Sequence, residues 1–255
     1  MNAVVRLMLR DARVLNRGLV ALQLILPLFF LFVASFPLTS LIAPFQVGGQ
    51  AISYQRFLAT GLIAQTTMTG SLIGGTLLFT DRRHGMFGQI LVGPATRADY
   101  ATSKMLSSAA IGLSGAVVVA AFGLPFTYGV HPTLPGAALA LGAVLAGAFF
   151  FAGLSVILAS VFRSLEAFEG TFNLLLILLT FVSSSLYPLS AVPSGLRGLM
   201  LLNPLTYDVD LLRMGILGFG SPYAPWEALA LSVECVLVFV GAVAALRRTA
   251  RLEAA

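Results

Sequence analysis

The sequence predicts an all-α integral membrane protein with six transmembrane helices. Only 10% of its 255 residues are charged, whereas an ordinary soluble domain carries roughly 25%. Long uncharged runs separate those charges, and each can hold the roughly 20 residues that a helix needs to cross a hydrocarbon core of about 30 Å. Apolar stretches such as 174–182 do not alternate with polar residues, which excludes a membrane β-barrel.

The uncharged runs place the six spans and leave no room for a soluble domain. The approximate spans are 18–42, 57–79, 105–128, 137–162, 170–187 and 227–246. The fifth is the least regular, because Pro188 and Pro193 should end its helix near Tyr187. The longest hydrophilic stretch, 81–104, is short, so a single transmembrane domain is expected over 1–255.

The basic residues predict the orientation. Under this topology, 12 of the 15 lysines and arginines lie on the side that carries both termini. The positive-inside rule makes that side cytoplasmic. The basic residues on the opposite side are Arg56, Arg197 and Arg213. Because the charges are scattered at the helix ends, they indicate topology and not a nucleic-acid-binding surface.

The first 17 residues have the pattern of an amphipathic helix. Their arginines are spaced 4, 3 and 4 residues apart and so form one stripe on a helix. The stripe consists of Arg6, Arg10, Arg13 and Arg17, and the opposite face consists of Val4, Met8, Ala12 and Leu15. We expect this helix to lie at the inner membrane surface; the alternative is a simple orientation signal for the first span.

The polar segment 81–104 connects the second and third predicted spans. A short apolar stretch within it predicts a helix over 86–91, closed by Pro94. A short helix on the cytoplasmic face would be a contact element for a partner, and the alternative is an ordinary long loop.

The connection from Tyr187 to Trp226 is too apolar for a solvated loop and too rich in proline for a seventh span. Two short helices are predicted there, over 196–202 and 207–217, the second capped around Asn203. Apolar helices of that length should dip into the outer leaflet and pack against protein.

Sites for nucleotides, metals or covalent catalysis are not predicted. Lys104 is the only lysine and has no glycine-rich turn before it, so this chain has no phosphate-binding loop. We therefore expect it to bind no cofactor. Glu234 in the sixth span is either a proton- or substrate-binding group or a shallow structural residue. Asn173 in the fifth span has the same two alternatives, of which packing is favoured. The spacing of Gly70 and Gly74 indicates close helix packing or chance.

Two segments resemble the type-2 ABC exporter permeases, which include drug, polysaccharide and nodulation-factor exporters. Segment 81–104 is similar to the family's coupling segment, with an acidic residue, basic residues, a glycine, a proline and a final lysine. Segment 185–218 is similar to its closing signature, with aromatic-Pro, Pro, Asn-Pro-Leu-Thr-Tyr and a terminal arginine.

The resemblance implies the roles of particular residues. The coupling segment would include Asp81, Arg82, Arg83, Gly85, Met86 and Pro94, and the outer cap would include Pro188, Pro193, Asn203, Pro204, Tyr207 and Arg213. Met86 stands where the family often has threonine, and Asp81 where glutamate is more usual. Two permease copies, identical or different, would pair with two separate ATPase subunits that bind ATP and Mg²⁺.

The leading hypothesis is therefore the membrane subunit of an exporter in the cytoplasmic membrane, without enzyme activity of its own. Its substrate would be hydrophobic, lipid-like or drug-like. The alternatives are a polysaccharide or glycolipid exporter and a proton-coupled secondary transporter that uses Glu234.

Overall fold

A computed structural model describes residues 3–14, 17–47, 50–83, 96–127, 133–218, 221 and 223–252. This part of the chain is built almost entirely from helices. The helices are α1 (Ala3–Val14), α2 (Arg17–Phe29), α3 (Ser35–Leu41), α4 (Tyr54–Ile73), α5 (Thr76–Arg83), α6 (Arg97–Gly123), α7 (Leu134–Val161), α8 (Leu165–Phe181), α9 (Ser194–Leu201), α10 (Pro204–Leu217) and α11 (Ala224–Leu252).

Five helical stretches in the described residues are long and apolar enough to cross a membrane, so the chain is a multi-pass membrane protein. They are Gln23–Leu41, Tyr54–Asp81, Ala98–Gly123, Leu134–Val161 and Ala224–Leu246. The predicted fifth span corresponds to α8, which has 17 residues and is therefore about 26 Å long. The predicted count of six spans is thus not confirmed, because α8 is shorter than a helix that crosses about 30 Å of hydrocarbon without adjustment.

The first span contains an irregular turn between two prolines. A π-helical segment, Phe30–Ala34, joins α2 to α3, and the backbone N–H of Ser35 donates to the carbonyl of Phe30. Pro27 in α2 and Pro37 in α3 lack the N–H groups that a regular helix requires. The wider turn accommodates those missing donors within one continuous helical stretch.

Helix α8 ends at Phe181, six residues before the predicted end near Tyr187. The side-chain amide of Asn203 donates to the carbonyls of Leu179 and Val182, at 2.8 and 2.6 Å. These carbonyls belong to the last turn, where intrahelical donors run out. A distant asparagine therefore stabilises the end of α8, ahead of the proline that was expected to terminate it.

A short β-hairpin, which was not predicted, lies between the first span and α4. Strand β1 (Phe45–Val47) pairs antiparallel with β2 (Gln50–Ile52), with Phe45 opposite Ile52. The ring of Phe45 lies edge-on to the ring of Phe57 on α4, with centroids 5.0 Å apart. The hairpin thus packs against the start of α4.

Helices α4 and α6 approach closely through glycines, which favours the packing interpretation of Gly70 and Gly74. A Cβ atom on Gly70 would lie 2.7 Å from the Cα of Gly112 on α6. A Cβ atom on Gly74 would overlap the side chain of Ser108. Small residues at both positions let the two backbones touch.

The bundle has two ends, named here by what lies at them. At the terminal end, α1 and the end of α11 meet the start of α6 around buried Leu78, Tyr100 and Leu246. At the cap end, α10 packs against the starts of α4, α7 and α11. The core between them includes Leu62, Phe151 and Leu212.

Candidate functional site

Asp81, in the last turns of α5, is the centre of a buried polar network at the terminal end. It is 4% exposed. Both of its carboxylate oxygens accept from Nη2 of Arg10, at 2.6 and 2.7 Å. The hydroxyl of Tyr100 donates to Oδ2 at 2.8 Å, and Nζ of Lys104 lies 2.7 Å from the same atom. Asp81 therefore joins α5 to both α1 and α6.

Asp11 on α1 is the second carboxylate of this network. Nζ of Lys104 donates to it at 2.8 Å, and the hydroxyl of Ser107 donates at 3.1 Å. We call Arg10, Asp11, Asp81 and Lys104 the four-charge cluster. Its two cations balance its two carboxylates, which is the condition for holding charges away from water.

Arg10 remains a cation in this setting. Burial alone would lower its pKa, but hydrogen bonds and the nearby charges of Asp81 and Asp11 raise that pKa above its ordinary value. The four-charge cluster is thus a set of ion pairs that fixes three helices relative to one another.

The structure shows which face of α1 contacts the bundle. Arg10 turns towards the bundle, whereas Arg6 and Arg13 are exposed. On the predicted apolar face, Ala12 is exposed, while Asp11 is buried against α6. The prediction from the arginine spacing did not consider Asp11. The ion pairs of Asp11 and Arg10 determine which face of α1 contacts the bundle.

Most of the predicted coupling segment lies outside the described residues. This applies to Gly85, Met86, Pro94 and the helix expected over 86–91. Arg82 and Arg83 are the last residues of α5, and their side chains are not among those described. Of the coupling residues named from the sequence, Asp81 alone has a described side chain.

The segment nevertheless has two fixed flanks. At its beginning, the ion pairs of Asp81 with Arg10 and Lys104 fix the end of α5. At its exit, Thr96 caps α6: the Thr96 hydroxyl accepts from the N–H of Asp99 at 3.1 Å. In return, the Asp99 carboxylate accepts from the N–H of Thr96 at 2.9 Å. This reciprocal capping box defines where α6 begins.

Arg213 on α10 organises the cap end and is 4% exposed. Its guanidinium lies 3.7 Å from the centre of the Phe57 ring and pairs with Asp210 at 3.3 Å. It also donates to the hydroxyl of Thr60 at 3.3 Å and to the carbonyl of Ser184 at 3.2 Å. One side chain thus links α10 to α4 and to the segment that follows α8.

Two short helices, α9 and α10, lie where helices over 196–202 and 207–217 were predicted; α9 is shifted towards the N-terminus and α10 begins three residues earlier. Asn203 caps α10 by accepting from the N–H of Leu205 at 2.9 Å. Pro204 follows at the first helical position, where a missing N–H costs nothing. The Tyr207 hydroxyl donates to the carbonyl of Leu201 at the end of α9.

The two earlier prolines act at helix starts. Pro188 precedes a short 3₁₀ turn, Leu189–Ala191, and Pro193 precedes α9. Both separate the cap from α8, although neither ends α8.

Asp208 on α10 differs from the paired carboxylates. It is completely buried, and neither oxygen has a hydrogen-bond partner among the described residues. Its carboxylate occupies the space that a Cβ atom on Gly147 of α7 would fill. Asp208 lies outside the five spanning stretches, because α10 is not one of them. Burial raises the pKa of Asp208 above its ordinary value.

The two intramembrane candidates named from the sequence differ in position. Glu234 on α11 is half-buried, and its Oε2 has no hydrogen-bond partner among the described residues. Asn173 on α8 is exposed. Asn173 therefore makes no packing contact with the described part of this chain's bundle, and its role stays a prediction.

An apolar groove of about 720 Å³ runs between α6, α7 and α11. Its lining is Met8, Leu106, Ala109, Ala110, Leu113, Leu145, Ala146, Phe149, Ser232 and Cys235. Met8 of α1 closes it towards the terminal end. The groove offers apolar contact and almost no hydrogen-bonding groups.

The family model of the ABC-2 type transporters matches residues 4–217 of this sequence. The chain belongs to the ABC-2 type transporter family. The matched range contains both the four-charge cluster and the cap around Arg213. In this family the membrane protein is a transport subunit, so the chain is a permease subunit of an ABC transporter, and the family implies an ABC ATPase subunit as its partner.

Similar proteins agree with this assignment. "Nodulation protein J" of Neorhizobium galegae is 29% identical over 213 residues, which cover 79% of this chain and 76% of that protein. A second "Nodulation protein J", of Rhizobium leguminosarum bv. trifolii, is 27% identical and covers 87% of this chain and 83% of itself. "Putative transport permease ycf38" of Cyanophora paradoxa is 30% identical over 67% of this chain and 59% of its own length.

Sequence reasoning missed several residues of the four-charge cluster and its neighbours. Asp11, Tyr100 and Ser107 were not singled out. Lys104 was considered only as the lysine that a phosphate-binding loop would require. One signal was available: Lys104 directly precedes an uncharged run, 105–130. A charge at the edge of such a run needs a carboxylate partner, and Asp11 and Asp81 are among the few candidates.

Proposed function

We propose that this permease exports a hydrophobic, lipid-like or drug-like substrate and that a separate subunit binds Mg²⁺ and ATP and hydrolyses the ATP. The observation that supports this best is the combination of the family match with the four-charge cluster. The match supplies the transporter class, and the cluster supplies a mechanical connection at the end where a partner would bind.

The coupling segment would transmit force through that connection. Arg82, Arg83, Gly85, Met86 and Pro94 would form the surface that the ATPase subunit contacts. Asp81 is buried and paired, so we propose that it acts by positioning. When the partner pushes on segment 84–95, α5 would move together with α1 and α6, because breaking buried ion pairs costs about 3–5 kcal/mol each.

The assembly would contain two permease copies and two ATPase subunits in the cytoplasmic membrane. The distribution of the basic residues supports placing the terminal end, with both chain termini, in the cytoplasm. The cap end would then lie in the outer leaflet, where α9 and α10 would cover the outer end of the substrate path.

The apolar lining of the groove supports a hydrophobic cargo, since a polysaccharide needs hydrogen-bonding groups that this groove does not offer. A polysaccharide or glycolipid remains the alternative cargo, because proteins named for nodulation are among the relatives. A proton-coupled secondary transporter would instead use Glu234, whose Oε2 lacks a partner among the described residues.

Reconstitution into liposomes separates these possibilities. The permease and its ATPase subunit should move a fluorescent amphiphilic dye or a lipid analogue only when Mg²⁺ and ATP are present on the side of the ATPase. A partner subunit that cannot hydrolyse ATP serves as the control. Uptake by the permease alone, driven by a proton gradient and lost in Glu234→Gln, would contradict the proposal. ATP-driven transport of an oligosaccharide in place of the dye would change only the cargo.

A further inference from the structure

Asp208 has no counter-charge among the described residues of the cap end. Helix α7, against which it packs, contains no ionisable side chain. On its own helix, Arg213 is already engaged by Asp210, by the hydroxyl of Thr60 and by two backbone carbonyls. The Arg213 guanidinium, which could have neutralised Asp208, is therefore paired with Asp210 instead.

The groups that face Asp208 from other elements are no better as partners for a carboxylate. Helix α11 contributes the Cys235 thiol with Glu234 beside it, and Glu227 in its first turn. The ionisable residues of α4 are Tyr54 and Arg56, and neither bonds to Asp208. Additional carboxylates in this region increase the cost of a negative charge on Asp208.

The carboxyl of Asp208 is also held tightly against α7. Its carboxylate fills a slot on α7 that exists because residue 147 is glycine. A bare carboxylate in such a slot would be far more costly to bury than a protonated one, which behaves as an ordinary polar group.

We propose that Asp208 is a proton-binding site and that α10 docks on α7 only while this carboxyl carries its proton. The ligand is a proton exchanged with the solution at the cap end. Deprotonation would place an unpaired charge between the two helices and favour their separation. The proposal concerns the packing of the cap and does not depend on which substrate is carried or on how transport is driven.

The sign of the pH dependence follows from linkage. If Asp208 holds a proton in the folded protein at a pH where the unfolded chain has lost it, the folded state binds more protons. The free energy of unfolding should then fall as the pH rises above the ordinary titration range of aspartate. Asp210 is ion-paired with Arg213, but burial still raises its pKa above the ordinary value, so its contribution has the same sign and is common to the wild type and Asp208→Asn.

The first test compares unfolding midpoints of the purified wild type, Asp208→Asn and Glu169→Gln from pH 5 to pH 9. Glu169 is an exposed carboxylate on α8 and serves as the matched control. The midpoint of the wild type and of the control should fall with rising pH, and Asp208→Asn should reduce that slope by the part that one bound proton contributes. An unchanged slope in Asp208→Asn would overturn the proposal.

A second measurement needs no variant and so covers the case in which Asp208→Asn does not fold. The chain has five aspartates. Asp11, Asp81 and Asp210 are ion-paired, and Asp99 caps a helix at the surface. In protein labelled with ¹³C-aspartate, the infrared carbonyl band of a protonated carboxyl at neutral pH therefore reports Asp208 and, to the extent that burial keeps it protonated, Asp210. We expect a label-shifted band equivalent to at least one residue, and its absence would overturn the proposal.

Discussion

Lys104 and Asp11 are 93 residues apart in the sequence, yet Nζ of the lysine donates to the Asp11 carboxylate at 2.8 Å in the interior of the terminal end. The same nitrogen lies 2.7 Å from Asp81. A single lysine thus bridges the N-terminal helix and the helix that enters the coupling segment. If the ATPase subunit binds beside Asp81, α1 belongs to the moving unit and is more than a membrane anchor.

Replacing Lys104 with methionine should destabilise the protein strongly. The change keeps the approximate length of the side chain but removes one of the two cations of the four-charge cluster. Arg10 would then have to balance both Asp11 and Asp81. Losing one partner of a buried ion pair costs about 3–5 kcal/mol, so the midpoint of thermal unfolding in detergent should fall by several degrees. Lys104→Arg, which keeps the charge, should lose less. Equal midpoints for wild type and Lys104→Met would show that the bridge contributes nothing to stability.

Asp11→Asn should loosen α1 from α6 while the spans stay inserted. A neutral amide in place of the carboxylate would lose the ionic attraction to Lys104 and Arg10, and its oxygen would accept weaker hydrogen bonds from them. Hydrogen–deuterium exchange of the α1 amides should accelerate by about tenfold or more, which corresponds to about 1.4 kcal/mol of lost local stability. Arg13→Gln, which changes an exposed charge on the same helix, is the control. Equal exchange in all three proteins would contradict the role of Asp11.

Gly147→Ala should push Asp208 out of its slot and disturb the contact between α10 and α7. Overpacking of this kind typically costs about 1–3 kcal/mol. Another glycine of the same helix supplies the control: a Cβ atom on Gly142 would meet nothing within 4 Å. Gly142→Ala should therefore be neutral or stabilising, by up to about 1 kcal/mol.

A double-mutant cycle tests whether Asp208 causes the clash. In an Asp208→Ala background the carboxylate is gone, so Gly147→Ala should cost less in unfolding free energy than it does in the wild type. Equal costs in the two backgrounds would mean that some other neighbour of Gly147 is responsible.

Arg213→Lys should weaken the cap although it preserves the charge. A lysine ammonium cannot reproduce the planar fork that reaches Thr60, Phe57 and Ser184 together. We expect limited proteolysis to cut the region between α8 and α11 several times faster in this variant. Arg163→Lys alters an exposed arginine between α7 and α8 and should leave the cleavage rate unchanged; similar rates for both variants would contradict the organising role of Arg213.

The elements that could be predicted are those with strong local signals. The cap helices were predicted because Asn203-Pro204 marks a helix start and the prolines exclude a long span. The long spans follow from missing charge. The length of α8 could not be predicted, since the asparagine that completes its last turn is 24 residues away from Leu179.

The ion pairs were harder to predict than the helices. Asp11 lies within a stripe of arginines, and the periodicity of α1 by itself favoured the membrane surface. Only the fold shows that α5 and α6 bring Asp81 and Lys104 to the same place. Asp208 likewise gave no signal, because its slot depends on a glycine of another helix, Gly147.

The most direct measurement is whether an ABC ATPase subunit co-purifies with the tagged permease from its native membranes and hydrolyses ATP in that complex. The wild type and Arg163→Glu, which reverses an exposed charge between α7 and α8, should both retain the subunit and its activity. The double variant Arg82→Glu/Arg83→Glu should insert into the membrane in normal amount and lose most of the bound ATPase. A full complement of active ATPase on the double variant would contradict the coupling role of this segment, and its absence from the wild type would contradict ATP-driven export.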